Sequence, residues 1–458
     1  MFQRITLLVL ASLTLCQLRA QDSLNMIRLA HWDDESLPVA SPGNLNLQYS
    51  GCWGMAVNGH EYAVLGGAAH VLIFDITSPE TPELVGKFAG TATTVWREFK
   101  SYKNRLYAVS DNTTEGLMIF DFSNAPDTIV RSYWSNEFFN KSHTITLDTL
   151  SGRIYLNGTD VVNQGLLVLD VSQNPDRPQL LANVTVDGGY IHDSYVRGDT
   201  IYASSGYEGY YIIDMSNPEE PQTLAQIATG GYNHNSWLTT DGRYAYYTEE
   251  IPKGQTIKIV DLQDLANGNI EIADDFLDPQ VPGAPPLAVP HNVYIRDTLL
   301  FDSQYEDGLL VYSISNPLQP QLVAHYDTHP ENNQYNGYFG NWGNYPWLPS
   351  GNIVAGDMQN GLQILRITSA SSGTKTPSGS LQAVLAPNPA SDRVSIRLPA
   401  SASEWQYQVF NARGQTMRPA TVVHRPEEAF SVAEWPVGVY FVAIQAGEQS
   451  LMQKIVVK

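Results

Sequence analysis

The sequence predicts an all-β fold, a seven-bladed β-propeller of four-stranded blades followed by a small C-terminal β-sandwich. An apolar-apolar-Asp pattern, first met as Ile73-Phe74-Asp75-Ile76, returns at Ile119-Phe120-Asp121-Phe122, Val168-Leu169-Asp170-Val171, Ile212-Ile213-Asp214-Met215 and Ile259-Val260-Asp261-Leu262. Two degenerate copies, Val311-Tyr312-Ser313-Ile314 and Ile364-Leu365-Arg366-Ile367, make seven, with third positions 46, 49, 44, 47, 52 and 53 residues apart. Each period holds four β-like runs, the length and content of one blade. The 25 Tyr, 9 Trp and 35 Gly agree with strands that need aromatic faces and turns that need positive φ.

The N-terminal residues 1–20 read as an export signal. Arg4 gives the positive start, Ile5 to Leu15 the apolar run and Leu18-Arg19-Ala20 a small-residue cleavage site. The run is too short to span a bilayer, and no later stretch approaches the ~18 apolar residues a transmembrane helix needs. Cys16 follows Leu15, too large for a lipoprotein box, and cleavage leaves Cys52 as the sole cysteine, which excludes a disulfide framework.

Residues 21–368 carry the repeats. Blade five shows the grammar: Asn235 to Thr240, a tight Asp241-Gly242 turn, Arg243 to Thr248, Gln255 to Leu262, then Ile270 to Phe276. Ser-Asn-Pro turns such as Ser216-Asn217-Pro218 follow the third strand, whose Asp (Asp75, Asp121, Asp170, Asp214, Asp261) is read as a structural turn residue. A Gly precedes the third strand at Gly116, Gly165, Gly209, Gly254, Gly308 and Gly361, each expected at positive φ. The seventh copy has no fourth strand of its own. Met26 to Asp33 resembles the fourth strand of blade six (Leu322 to Asp327), so the N-terminal strand is expected to complete the last blade and close the ring. Residues 369–380 (SASSGTKTPSGS) form a polar linker, and 381–458 a separate module of short alternating strands and Asn-Pro and Pro-x-Gly turns, expected to be a β-sandwich.

A net charge of −21 repels phosphate backbones and argues against a nucleic-acid partner. No Ser-x-Asp-x-Gly-x-x-Trp box, Trp-Asp repeat pair, Gly-x-Ser-x-Gly, His-Glu-x-x-His or phosphate loop occurs, and no residue stands out as catalytic.

One constellation carries chemistry. Counting back ten residues from the second-strand aromatic leads from Tyr107 to Arg97 and from Phe301 to His291, and His143, His192 and His234 share the register. Four consecutive blades thus begin their inner strand with His and blade two with Arg97, followed by Glu98, Thr144, Asp193, Asn235 and Asn292. Inner strands line the channel of a propeller, so these residues are expected to ring one mouth. His143, His192, His234 and His291 with Asp193 are the candidate ligands of a divalent metal, the one cofactor the residues suggest. Arg97, Glu98, Trp96 and Trp342 are the ligand-binding candidates. The competing reading gives the histidines a structural role, setting blade spacing through backbone hydrogen bonds. Second strands end at the same face in Asp111, Asp160, Glu249, Glu250 and Asp357, candidates to orient the imidazoles, although the Glu249-Glu250 pair reads more simply as a solvated loop. Trp53, Trp96, Trp342, Tyr345 and Trp347 are expected as stacking walls of the same mouth.

Two resemblances follow. The repeat resembles the LVIVD repeat. The order His31-Trp32-Asp33-Asp34, Trp96-Arg97-Glu98, His192-Asp193, His234-Asn235, His291-Asn292 and Gly340-Asn341-Trp342-Gly343 with Tyr345-Pro346 and Pro349-Ser350-Gly351 resembles the choice-of-anchor B family of exported bacterial proteins over residues 24–368. That resemblance implies a surface-exposed or secreted propeller and no settled activity. Ala386-Pro387-Asn388-Pro389-Ala390-Ser391-Asp392, Tyr407 to Gln415 and Pro436-Val437-Gly438-Val439-Tyr440-Phe441-Val442 are similar to the type IX secretion sorting domain of the Bacteroidetes. It implies that residues 381–458 engage the type IX secretion machinery and that the protein reaches the outer-membrane cell surface or the medium. The expected function is a binding or scaffold module for an extracellular glycan, peptide or surface partner. The alternative is a metal-dependent extracellular hydrolase or lyase that uses the His ring, with Glu98 or Asp193 as general base.

Overall fold

A computed structural model describes residues 23–41, 45–280, 287–332, 334–368, 383–398, 404–411, 416–446 and 449–458. The expected export signal with Cys16, the linker and residues 412–415 of the second C-terminal motif lie outside the described residues. The chain divides at residue 372 into two compact units, and no α-helix occurs among the described residues.

The first unit is a ring of seven antiparallel sheets. Blade one is Tyr49–Val57, His60–Gly67, His70–Asp75 and Glu83–Ala89, hydrogen-bonded in that order. The inner strands of the next six blades are Arg97–Tyr102, Thr144–Asp148, Asp193–Arg197, Asn233–Leu238, Asn292–Arg296 and Asn341–Tyr345. Each lies beside the next, and the last returns to Tyr49–Val57. Blade seven takes its outer strand from the N-terminus: Met26–Trp32 pairs with Gly361–Ile367 from Met26↔Ile367 to Trp32↔Leu362. The closure expected from sequence is therefore present, and it removes two open sheet edges. The chain also does something unexpected just before, where Ser23–Leu24 pairs with Tyr326 and His325 as a fifth strand on blade six.

The repeat's Asp works as a turn residue. Asp75, Asp121, Asp170, Asp214 and Asp261 each accept the backbone N–H two residues on, at 2.7–2.9 Å. The six expected glycines all have positive φ. In every blade the register between third and fourth strands slips by one residue, a bulge that bends the outer strand and adds to blade twist.

The core lies between blades. Leu72 and Phe74 of blade one pack on Val354, Leu362 and Ile364 of blade seven, while Leu117 and Ile119 of blade two meet Ile154 and Leu167 of blade three. Each such side chain contributes about 1.5–3 kcal/mol on burial, and together they hold the inner strands rigidly round the channel.

The second unit holds a three-stranded sheet (Val384–Ala386, Arg393–Arg397, Glu427–Ser431) and a four-stranded sheet (Thr416–Val423, Trp405–Asn411, Gly438–Ala446, Gln449–Val457). Val394, Ile396 and Phe430 of the first share one core with Trp405, Val409, Val442 and Ile455 of the second, a small β-sandwich.

Candidate functional site

Every inner strand starts at the same mouth of the channel. His143, His192 and His291 stand one residue before their strands, with backbone N–H groups donated to Asn157, Ser204 and Ser303 of the second strand at 2.8–2.9 Å. His234 sits inside its strand at a bulge between Asn233 and Asn235, and Trp342 occupies the matching bulge in blade seven. A bulge re-aims the side chain it carries. The rings form an arc, with centroids 4.2 Å apart for His143–His192, 4.5 Å for His192–His234, 4.1 Å for His234–His291 and 4.7 Å for His291–Trp342.

Hydrogen bonds split the arc into two pairs. His143 Nδ1 lies 3.0 Å from Asp111, His143 Nε2 is 3.2 Å from His192 Nε2, and Tyr232 Oη is 2.8 Å from His192 Nδ1. The consistent assignment is a chain in which His143 donates to Asp111, His192 donates to His143 and Tyr232 donates to His192. In the second pair, Nδ1 of His234 faces the His291 carbonyl at 3.0 Å and Nδ1 of His291 the Trp342 carbonyl at 2.6 Å. Carbonyls only accept, so both rings carry their proton on Nδ1 and present Nε2 lone pairs. Burial, reinforced by neighbouring imidazoles, holds His192 and His291 well below the usual histidine range; burial brings His234 down to about 4, with Asp193 opposing. His192, His234 and His291 are therefore neutral at neutral pH.

Beneath it lie Glu98, Lys100, Thr144, Asp193, Asn292 and Tyr294, and the free space there is ≈ 10 Å³, about one water-sized sphere. Glu98 accepts the Trp342 indole N–H at 3.0 Å; burial raises its pKa, Asp193 adds to the rise and Lys100 opposes it. Asp193 accepts from Asn235 Nδ2 at 2.7 Å and from the Ser194 N–H at 2.8 Å.

Among the candidates, His143, His234, His291, Asp193, Glu98, Trp96 and Trp342 line this space, and His192 sits in the same arc. Arg97 is not brought to it. Its guanidinium is buried against Glu115, with further donation to the carbonyls of Gly67 and Ala92, so its charge is already matched. The expected aromatic wall also divides. Trp96 and Trp342 stay at the histidine end, whereas Trp53, Tyr345 and Trp347 gather at the opposite, hairpin end with Tyr195, Trp237 and Tyr294. There they border a cleft of ≈ 440 Å³ that also takes in Lys100, Asp148 and Ser194.

The acids serve several ends. Asp111 orients His143, Asp160 binds the backbone N–H groups of Asn140 and Lys141, and Asp357 accepts the Thr328 hydroxyl at 2.6 Å. The solvated-loop reading of Glu249-Glu250 is corrected: Glu249 is buried on the Gly231 N–H, and half-buried Glu250, bonded by Tyr305 Oη at 2.8 Å, stands beside His234 and His291. These three residues offer one ligand atom each within 4.8 Å of one another. Tyr232, Tyr305, Lys100 and Trp237 were not singled out from sequence. Tyr232 and Tyr305 lie outside the inner-strand register on which the ring was read.

Residues 384–458 match the family described as a secretion system C-terminal sorting domain, and residues 305–328 match the LVIVD repeat. No curated protein matches the chain. Among solved structures, Kuenenia stuttgartiensis hydrazine synthase aligns at 10% identity with a TM-score of 0.52, covering 73% of this chain and 99% of that one. A functionally unknown protein from Desulfotomaculum acetoxidans aligns at 14% identity and TM-score 0.48, covering 66% and 92%. Chaetomium thermophilum Sqt1, solved bound to the N-terminus of ribosomal protein L10, aligns at 13% and 0.49, covering 70% and 97%. Identities this low speak to fold alone. The chain is thus a repeat-built propeller joined to a type IX sorting domain, which makes it a secreted or cell-surface protein.

Proposed function

We propose that the protein is a binding module carried to the cell surface by its sorting domain, with the aromatic cleft at the hairpin end of the channel as its ligand site and a saccharide as its ligand. One observation carries this reading: Tyr195, Trp237, Tyr345 and Trp347 remain partly exposed round a ≈ 440 Å³ cleft that also holds Lys100, Asp148 and Ser194. Aromatic faces with a few polar groups suit a ring that is apolar on its faces and hydroxylated at its rim. Lys100 Nζ sits 4.4 Å over the Trp53 ring, a cation–π contact that holds the ammonium at the cleft. The resemblance of the propeller to the choice-of-anchor B family supports display at the surface.

The test is an oligosaccharide panel against the mature full-length chain, followed by Trp237→Ala and Trp347→Ala. Loss of about tenfold or more in affinity in either variant supports the cleft. Equal affinity in both, or no saccharide bound, sinks it.

A second reading, a metal-dependent hydrolase or lyase acting on extracellular polymer, is favoured by the neutral imidazoles at the other mouth. Glu98, whose pKa burial raises, would be the general base. Polymer turnover abolished by chelator and restored by metal is its signature, and turnover indifferent to chelator removes it.

A further inference from the structure

We propose that His234 Nε2, His291 Nε2 and a carboxylate oxygen of Glu250 form a binding site for one divalent transition metal of the Zn²⁺ class. The inference rests on this cluster and on neither functional reading above.

The first support is orientation. Both Nδ1 atoms are committed to backbone carbonyls, of His291 and Trp342, which fixes the tautomer and leaves Nε2 as the donor atom. An imidazole whose far nitrogen is held by a carbonyl is the usual arrangement of a metal-ligating histidine. Glu250 is oriented in the same way, with one oxygen taken by Tyr305 Oη at 2.8 Å.

The second support is an unmet need. His291 is 1% exposed and its Nε2 has no hydrogen-bond partner, although buried polar atoms are nearly always partnered. An ion at the cluster centre satisfies it.

The third is the frame. His234 projects from a bulge in blade five, Glu250 follows directly on that blade's second strand with its N–H on the Tyr232 carbonyl at 2.9 Å, and His291 opens blade six. Two adjacent packed blades thus hold all three ligands. The ligand atoms lie up to 4.8 Å apart, wider than the ~3.3 Å between neighbours about 2.0–2.1 Å from a tetrahedral ion, so binding draws them inward.

Two imidazoles and one carboxylate select a transition metal over calcium or magnesium, which take oxygen ligands. Both imidazoles border the ≈ 10 Å³ space in the channel, room for one water in a fourth position. Asp193, a ligand candidate from sequence, is already held by Asn235 and stays outside the set.

The experiment strips the full-length chain with chelator and titrates it with Co²⁺ and then Zn²⁺, following visible Co²⁺ absorption and calorimetry. One equivalent of Co²⁺, displaced by Zn²⁺, is expected. His291→Ala and Glu250→Gln should each weaken binding by more than about 100-fold, beyond the ~10–100-fold typical of losing an outer partner. His60→Ala should bind as wild type, and thermal melts of the stripped variants confirm that they fold. Substoichiometric binding overturns the proposal, as does affinity unchanged by both ligand variants. Binding lost in His143→Ala but kept in Glu250→Gln also overturns it, by moving the ion to the His143–His192 pair. A stripped protein that still binds saccharide separates this site from the aromatic cleft.

Discussion

Arg97 and Glu115 form an ion pair at 2.5 Å whose side chains are 2% and 0% exposed. Arg97 opens the inner strand of blade two, and Glu115 lies in the loop before that blade's third strand. The pair ties the two together at the mouth of the channel, with Arg97 Nε also reaching the blade-one carbonyl of Gly67 at 3.0 Å.

Removing one partner leaves a buried charge without its match, so Arg97→Ala should cost about 3–5 kcal/mol in denaturant unfolding. The double variant Arg97→Met/Glu115→Leu should recover most of that loss, because no charge is then stranded. A single-variant cost below about 1 kcal/mol would show that water reaches the pair.

Gly51 sits where blades one and two touch. A Cβ there would lie 2.2 Å from the Arg97 carbonyl oxygen and 2.8 Å from Glu98 Oε1. Backbone cannot swing aside as a side-chain tip can, so Gly51→Ala should destabilise by at least the ~1–3 kcal/mol of an overpacked core. An unchanged melting temperature would mean the two inner strands separate more easily than their packing suggests.

Deleting residues 23–32 should open the ring. Gly361–Ile367 would lose its partner along the whole of Met26–Trp32 and become an exposed edge. The expected result is a lower melting temperature together with concentration-dependent self-association in sedimentation. A monomer as stable as the full chain would show that strand closure is dispensable.

Asp327 titrates out of place. Burial lifts its pKa to about 7, the charges of Asp357, Asp307 and Glu331 add to the rise, and the His329 N–H opposes it. With a folded value above the unfolded ~3.9, its contribution is fully present below about pH 4 and is lost as pH rises through 7. Asn at this position keeps an acceptor for the His329 N–H, 2.8 Å away in the native protein, and carries no charge. Asp327→Asn should therefore match wild type near pH 4 and become the more stable protein as pH approaches 8, by at most about 4 kcal/mol. A difference independent of pH would place the proton elsewhere in that acid cluster.

The blade count and the shared strand start of His143, His192, His234 and His291 were legible because each period repeats the same alternation and the same turn residues. Position along a strand fixes which mouth a residue approaches, and that much periodicity carries. It carries nothing about partners. Arg97 shares the register of the histidines, yet it is claimed by Glu115, a residue in a loop that varies between blades. Glu250 looked like half of a solvated pair because two adjacent acids usually are. Its burial comes from Tyr305 and the neighbouring blade. The histidine mouth is the wrong place for Trp53 and Trp347: Trp347 lies two residues beyond the hairpin end of Asn341–Tyr345, Trp53 sits midway along Tyr49–Val57, and their ring contacts are with Tyr345, Trp237 and Tyr294.

The sequence by itself determined the all-β class, the seven repeats, the N-terminal strand that closes the last of them, and the sorting domain at the C-terminus. All of these rest on local pattern, on which residues alternate, turn and recur. Tertiary structure decided the bulges that aim His234 and Trp342, the carbonyls that fix two imidazole tautomers, the burial that keeps His192, His234 and His291 neutral, and the placing of Glu250 beside His234 and His291. Those depend on distances between blades, and close packing between strands far apart in the chain sets them.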